Sequence, residues 1–258
     1  MSALPIDSDS QYTPLEPVPN SIREDGGMGI LSLIILAGGL GTRLRNAVPG
    51  LPKCMAPING KPFIGYVIDY FLQQGISKFI LSLGYMHEII TEYIEHQYPL
   101  LNVQYSIEKE PLGTGGAIKL ASSLADEINV IATNGDTLFK VDVKAISAFH
   151  SENSADCTLS LKPMKNFDRY GVVTLNDDNS IESFKEKQFY AQGLINGGVY
   201  ALNVKDFLEE QLPEKFSFEK DYLEKLYSQR KMTGIVQDEY FIDIGIPEDY
   251  ARAQVELK

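Results

Sequence analysis

The chain has 258 residues, a formal net charge of −12 and two cysteines. That length supports a sizeable α/β core without covalent staples. The acidic surplus argues against a nucleic-acid partner, which needs a basic surface, and two cysteines exclude a disulfide framework or a four-cysteine zinc site.

Residues 1–28 are rich in Pro, Ser, Asp and Glu, lack apolar periodicity and read as a disordered N-terminal extension. They contain no signal-peptide core, and no run elsewhere approaches a membrane span, so a cytoplasmic setting without a membrane partner is expected. Residues 29–258 read as one domain with a first half of about 29–153 and a second of about 154–258. An apolar run over 31–36, read as a buried strand over 33–36, ends in Gly38 and Gly39, with Gly41 close behind. Glycines carry no Cβ, so their backbone N–H groups can approach phosphate oxygens closely. Arg43 supplies a planar fork of donors and Lys53 a mobile point charge. A triphosphate suits this set. The Walker loop is excluded because Gly41-Thr42-Arg43 stands where Gly-Lys-Ser/Thr is needed, and the dinucleotide fingerprint because Leu44 replaces its third glycine. A plain strand-to-helix turn would account for Gly38 and Gly39 but not for the two cations.

Apolar pairs at Phe63-Ile64, Val67-Ile68 and Phe71-Leu72 predict a helix closed by Gly75. Residues 79–83 and 130–132 predict further buried strands, and 87–98 a helix with Ile89, Ile90, Tyr93 and Ile94 towards the sheet. This rhythm implies a Rossmann-like, mainly parallel α/β sheet flanked by helices, with ligands beyond the carboxyl ends of its strands. Ser106-Ile107-Glu108-Lys109-Glu110-Pro111 leads into a second glycine turn, Leu112-Gly113-Thr114-Gly115-Gly116, with no side chain to obstruct a flat ring. Glu108 could accept both N1–H and N2–H₂ of guanine, whereas thymine or uracil asks for an amide; a solvated charged loop is the plainer alternative. Asn134-Gly135-Asp136 follows the 130–132 strand at the same rim, where Asp136 could hold Mg²⁺ or merely close a turn.

The second half reads as a smaller antiparallel part: strands over 157–161, 171–175, 181–185 and 197–202, with a hairpin turn at Asn176-Asp177-Asp178-Asn179. Helices are predicted over 204–210, 219–229 and 247–256. Asp243, isolated between apolar residues before Gly245-Ile246-Pro247, is the second candidate carboxylate, with a helix cap as its alternative role. His87, His96 and His150 lie in predicted helices away from any nucleophile motif and read as surface or packing residues.

These landmarks resemble the sugar-1-phosphate nucleotidyltransferases. Gly38-Gly39-Leu40-Gly41-Thr42-Arg43-Leu44, followed by Pro52-Lys53 and Ala56-Pro57, matches the opening motif of that family, and the resemblance runs from about residue 31 to the C-terminus. It implies the nucleotide-diphospho-sugar transferase fold. It places the nucleotide on Leu36, Ala37, Gly38, Gly39, Gly41, Thr42, Arg43, Lys53, Glu108, Gly113, Thr114 and Asp136, and a metal, Mg²⁺, on Asp136 and Asp243. Arg169-Tyr170-Gly171-Val172, Phe184-Lys185-Glu186-Lys187 and Asn196-Gly197-Gly198 match its sugar-site landmarks. The sugar phosphate then falls to Gly135, Gly171, Glu186, Lys187, Asn196 and Gly197. Lys185 is the alternative to Lys187, because Gln188 stands where many relatives have proline. Arg43, Lys53, Asp136 and Lys187 would carry an in-line attack of the sugar phosphate on the α-phosphorus. The implied substrates are GTP and a sugar 1-phosphate, a heptose ahead of mannose, with a homodimer as an open option.

Overall fold

The structure is a computed structural model that describes residues 30, 32–39 and 48–258. Gly41, Thr42 and Arg43, like the extension over 1–28, lie outside the described residues. The first half alternates strand and helix: β1 (Ser32–Leu36), the short pair β2 (Pro57–Ile58) and β3 (Lys61–Pro62), α1 (Phe63–Gln73), β4 (Lys78–Leu83), α2 (His87–Gln97), β5 (Val103–Ile107), α3 (Gly113–Ser122) and β6 (Asn129–Asn134). There follow β7 (Thr137–Phe139), α4 (Val143–Glu152), β8 (Cys157–Phe167), β9 (Val172–Leu175), β10 (Ile181–Lys185), β11 (Tyr190–Asn203) and α5 (Val204–Glu209). A π-helical segment, Phe218–Leu223, runs into α6 (Glu224–Leu226), and β12 (Met232–Val236), β13 (Phe241–Asp243) and α7 (Pro247–Glu256) complete the chain.

A nine-stranded sheet has the order β10-β9-β11-β6-β1-β4-β5, with β8 on β11 and β12 on β8. Its first half is parallel: β1 pairs with β4 and β6, and β4 with β5. Its second half is antiparallel around β11, which pairs with β6, β8 and β9, while β12 adds to β8 in parallel. The expected mixed sheet with a smaller antiparallel part is therefore the observed one. Leu33 and Ile35 of β1 pack with Phe63, Val67 and Ile90 on one face, and Ile34 with Ile118, Tyr200 and Phe218 on the other. Helices on both faces explain why β1 is apolar throughout rather than alternating. Each such fully buried side chain contributes about 1.5–3 kcal/mol.

Local chemistry sets the element ends. Gly75, at φ 89°, follows α1 in the left-handed conformation that only glycine adopts freely, and Pro247 opens α7 with its missing N–H where no donor is needed. Two strands run longer than their sequence suggests, β8 to Phe167 and β11 from Tyr190. In β11 the break signalled by Asn196-Gly197-Gly198 is a bulge: the register shifts between Asn196 and Tyr200, with Gly198 at φ 74°. Here β11 leaves β9 and joins β6 from Val199 onward. The helix predicted over 219–229 is helical to Leu226 but opens as a π-helical segment, which keeps Phe218, Tyr222 and Leu223 all buried and lets the Phe218 and Tyr222 rings stack at 5.2 Å. Strand β5, whose Val-Gln-Tyr-Ser-Ile alternates apolar and polar residues, pairs with β4, and β12, with little periodicity of its own, is formed by pairing to β8.

His150 is a packing residue, buried on α4 and hydrogen-bonded to Thr158 Oγ1 at 2.9 Å and Asn129 Oδ1 at 3.3 Å. Burial pushes its imidazole down to about 4. The unfolded chain, with an ordinary imidazole, binds a proton below about pH 6.5 that the native state refuses until about pH 4, so stability falls as pH drops through this window. Urea unfolding of the protein is expected to show a loss of about 2 kcal/mol between pH 7 and pH 5 from this group. His150→Gln should flatten that slope; an unchanged slope would assign the loss elsewhere.

Candidate active site

A cavity of about 700 Å³ opens beyond the carboxyl ends of β1, β4 and β6. On its first side the chain leaving β1 is pinned by Ala37 N–H, which donates to Ser82 O at 2.8 Å. A Cβ on Gly38 would stand 3.0 Å from both Gly84 N and Glu108 Oε1, so the two backbones meet only because neither residue carries a side chain. Among the described residues a Cβ on Gly39 would meet nothing within 4 Å, and Gly39 lines the cavity.

On the second side, Glu108 follows β5. Its N–H donates to Leu83 O at 2.8 Å, and its Oε2 accepts from Leu112 N–H at 2.8 Å, which braces the loop into α3. The second glycine turn is only partly a ligand platform. Gly113 takes φ 72°, and with Thr114 it lines the cavity. Gly115 and Gly116 instead receive the segment around Phe216: both N–H groups point to Phe216 O, at 3.0 and 3.4 Å, and a Cβ on either would strike the Phe216 ring or the Glu214 carbonyl. Thr114 Oγ1 is tied to the same segment, donating to Glu219 Oε2 at 2.8 Å and accepting from Phe218 N–H at 2.9 Å.

The third side holds the charges. Gly135 N–H donates to Leu36 O at 2.9 Å, and a Cβ there would lie 2.7 Å from the same carbonyl, so the turn after β6 needs glycine to lie against β1. Asp136 follows, and β13 pairs antiparallel with β7 so that Asp243 stands opposite Thr137. Ile244 N–H donates to Asp136 O at 3.0 Å. Carboxylates far apart in sequence thereby face one ammonium: Lys53 Nζ is ion-paired with Asp136 and lies 3.6 Å from Asp243 Oδ1. The Lys53 side chain is 12% exposed and that of Asp136 32%, so the pairing is partly shielded from water. Burial, then the repulsion of Asp136, raises the Asp243 carboxyl above its usual range, and Lys53 offsets part of this. Asp243 does not cap α7, whose first turn receives no side-chain bond; its Oδ1 accepts from Gly245 N–H at 2.7 Å.

Two carboxylates against one ammonium leave a negative excess of hard oxygen donors. That set suits a divalent cation whose remaining ligands are phosphate oxygens and water. Among the described residues no group of three or more His, Cys, Asp or Glu converges as a metal cage. Cys54, beside Lys53, is buried, and burial together with Asp136 pushes its thiol up to about 12, so it remains protonated and is no nucleophile.

The residues expected at the sugar phosphate lie outside the lining of this cavity. A Cβ on Gly171 would stand 2.6 Å from Lys185 O, so Gly171 lets β9 and β10 close together. Tyr170 packs edge-on against Phe241 at 6.0 Å, and Arg169 is ion-paired with Asp249 of α7, which ties this landmark to the strand carrying Asp243. Asn196 is fixed by the β11 bulge: its Nδ2 donates to Tyr200 OH at 2.9 Å and its Oδ1 accepts from Gly198 N–H at 3.0 Å. Gly197 fits against the Phe139 ring. Lys185, Glu186 and Lys187 are exposed, without a side-chain bond or ion pair among the described residues. Gly84 and Tyr85 line the cavity without having been singled out from sequence, and Asn134, named there only as part of the turn to Asp136, lines it too. Gly84 was findable, since it ends the β4 run at the rim where ligands of such sheets sit.

A mixed α/β sheet whose parallel rim carries a glycine turn, a half-buried lysine and two facing aspartates fits a nucleotide-binding transfer enzyme better than a dehydrogenase or a P-loop protein. Residues 32–258 match the family described as Nucleotidyl transferase, and the chain belongs to it. Over 228 residues it is 54% identical to a D-glycero-α-D-manno-heptose 1-phosphate guanylyltransferase of Aneurinibacillus thermoaerophilus, covering 88% of this chain and 99% of that protein. A protein of the same description from Campylobacter jejuni is 46% identical over 221 residues, covering 85% of this chain and 97% of its own length. Among solved structures, HddC from Yersinia pseudotuberculosis superposes with a TM-score of 0.80 at 38% identity, covering 89% of this chain and all of that one; it is also known in complex with GMP-PN.

Proposed function

We propose that this protein is a guanylyltransferase that joins GTP and D-glycero-α-D-manno-heptose 1-phosphate to form GDP-D-glycero-α-D-manno-heptose and pyrophosphate. The observation that carries the reading is the match to two heptose 1-phosphate guanylyltransferases along nearly their whole length, in a chain whose cavity holds both Glu108 and the Lys53–Asp136 pair. The first half acts as the nucleotide-binding half and the second as the sugar-phosphate half. Two buried free cysteines fit a cytoplasmic setting, and no described helix is long and apolar enough to cross a membrane.

The attacking oxygen belongs to the sugar phosphate and is already anionic, so the reaction needs alignment and charge neutralisation more than a general base. A bond forms between that oxygen and the α-phosphorus of GTP, the bond from the α-phosphorus to the bridging oxygen breaks, and pyrophosphate leaves. Backbone groups at Gly38 and Gly39 approach the phosphates, and Lys53 neutralises their oxygens. Arg43, from the same motif, would meet the departing pyrophosphate. Asp136 and Asp243 would hold Mg²⁺, which supplies Lewis-acid neutralisation of the α-phosphate when bound. Glu108 offers its cavity-facing oxygen to guanine N1–H and N2–H₂ while the other oxygen keeps its bond to Leu112. Lys187, without a partner among the described residues, is available to hold the attacking phosphate, with Glu186 and Asn196 at sugar hydroxyls and Gly135, Gly171 and Gly197 shaping the backbone around them.

Pyrophosphate release measured for GTP, ATP, CTP, UTP and dTTP against heptose, mannose and glucose 1-phosphates tests this reading. Turnover is expected with GTP and the heptose, at the highest kcat/KM of the set. A better reaction with mannose would overturn the sugar while keeping the mechanism, and silence with every pair would overturn the enzyme reading.

A further inference from the structure

Lys53 occupies an unusual place for a phosphate-binding lysine. It lines the cavity, but its ammonium is already engaged by carboxylates there. Its ammonium is ion-paired with Asp136 and lies 3.6 Å from Asp243 Oδ1, and a Cβ on Gly245 would stand 2.9 Å from it. The lysine thus rests on the oxygens that form the candidate metal site. Two neighbouring carboxylates repel one another, and an ammonium placed between them relieves that repulsion. A divalent cation on the same oxygens would stand close to this positive charge, and the two cannot share the site at full strength.

We infer that Lys53 is an internal counter-ion that keeps the divalent metal off Asp136 and Asp243 until nucleotide phosphates draw the ammonium away. The inference rests on the metal-site reading given above. Phosphate oxygens offer Lys53 a replacement anion and at the same time complete the shell of the metal, so metal and nucleotide promote one another's binding through this one side chain. That coupling is reciprocal: whatever factor the nucleotide adds to metal affinity, the metal adds to nucleotide affinity. A lysine that only gripped phosphate would leave metal binding to the free protein unaffected.

Manganese binding to the nucleotide-free protein, followed by the electron paramagnetic resonance of unbound Mn²⁺, separates the two. Lys53→Met is expected to bind Mn²⁺ at least about 10-fold more tightly than the wild type, within the usual span of couplings between sites. Adding Asp136→Asn to Lys53→Met should abolish the gain. Equal Mn²⁺ affinity of wild type and Lys53→Met would overturn the inference; a gain that survives Asp136→Asn would overturn the metal-site reading instead. Lys53→Gln, which keeps a polar head in the same place, replaces the Met variant should that chain fail to fold. In the wild type, α,β-methylene GTP, whose α–β linkage cannot be cleaved, should recruit Mn²⁺ to the protein as read by water-proton relaxation. Recruitment already complete without it would equally overturn the inference.

Discussion

Asp136→Asn is expected to lower kcat for pyrophosphate release by about 10²–10³-fold, the size of effect seen when one preorganised electrostatic contact to a transition state is removed. The substitution keeps the volume of the side chain and removes only its charge. The backbone carbonyl of residue 136, which accepts from Ile244 N–H at 3.0 Å, is untouched, so the β7–β13 junction stays in place. The melting temperature should therefore stay within a few degrees, while Lys53 loses its main anion and any metal its first ligand. Asp243→Asn should lose activity by a similar factor. Its carboxyl is raised above the ordinary range by burial and by Asp136, so at neutral pH its charged form is disfavoured in the folded state, and the neutral amide removes that penalty. Its urea midpoint should be equal to or above that of the wild type. Activity within twofold of wild type for either variant would refute the metal assignment.

Glu108→Gln is expected to lower kcat/KM for GTP by about 10–10²-fold, the cost of one buried polar group left facing the wrong partner. Glu108 has two tasks that this substitution separates. Its Oε2 braces the loop by accepting from Leu112 N–H at 2.8 Å, and a glutamine carbonyl oxygen can do the same. What remains is the group directed at the cavity near Gly38, where an oxygen becomes an NH₂. Guanine presents donors at N1 and N2, so donor would face donor, and the advantage of GTP over UTP or dTTP should shrink correspondingly. An unchanged GTP preference together with unchanged stability would reduce Glu108 to a loop brace.

The parts of the site that could be read in the sequence share a physical reason. A strand buried on both faces is a continuous apolar run, and the ligand-binding rim lies where that run stops. Leu33, Ile34 and Ile35 lead to Gly38, and Val130, Ile131 and Ala132 lead to Asp136, so both could be placed at one rim before any contact was known. Residues 79–83 ended at the same rim, yet Gly84 went unnoticed because a lone glycine after a strand is common. The glycine turn at 113–116 shows the opposite error: absent side chains signal a close neighbour without naming it. At Gly115 and Gly116 the neighbour is the segment around Phe216, not a ligand.

By itself the sequence determined the βαβ order, the apolar faces of α1 and α2, the hairpin between β9 and β10, and which residue types could meet a triphosphate, because propensity, periodicity and charge are local properties. Only the tertiary structure decided that Asp136 and Asp243 share Lys53, that Asp243 bonds Gly245 rather than capping α7, and that the break at Asn196-Gly197-Gly198 is a bulge carrying β11 from β9 to β6. Each of these depends on strands distant in the chain coming into register. Register is set by the burial of whole faces rather than by any one residue, so no local pattern could have recorded it.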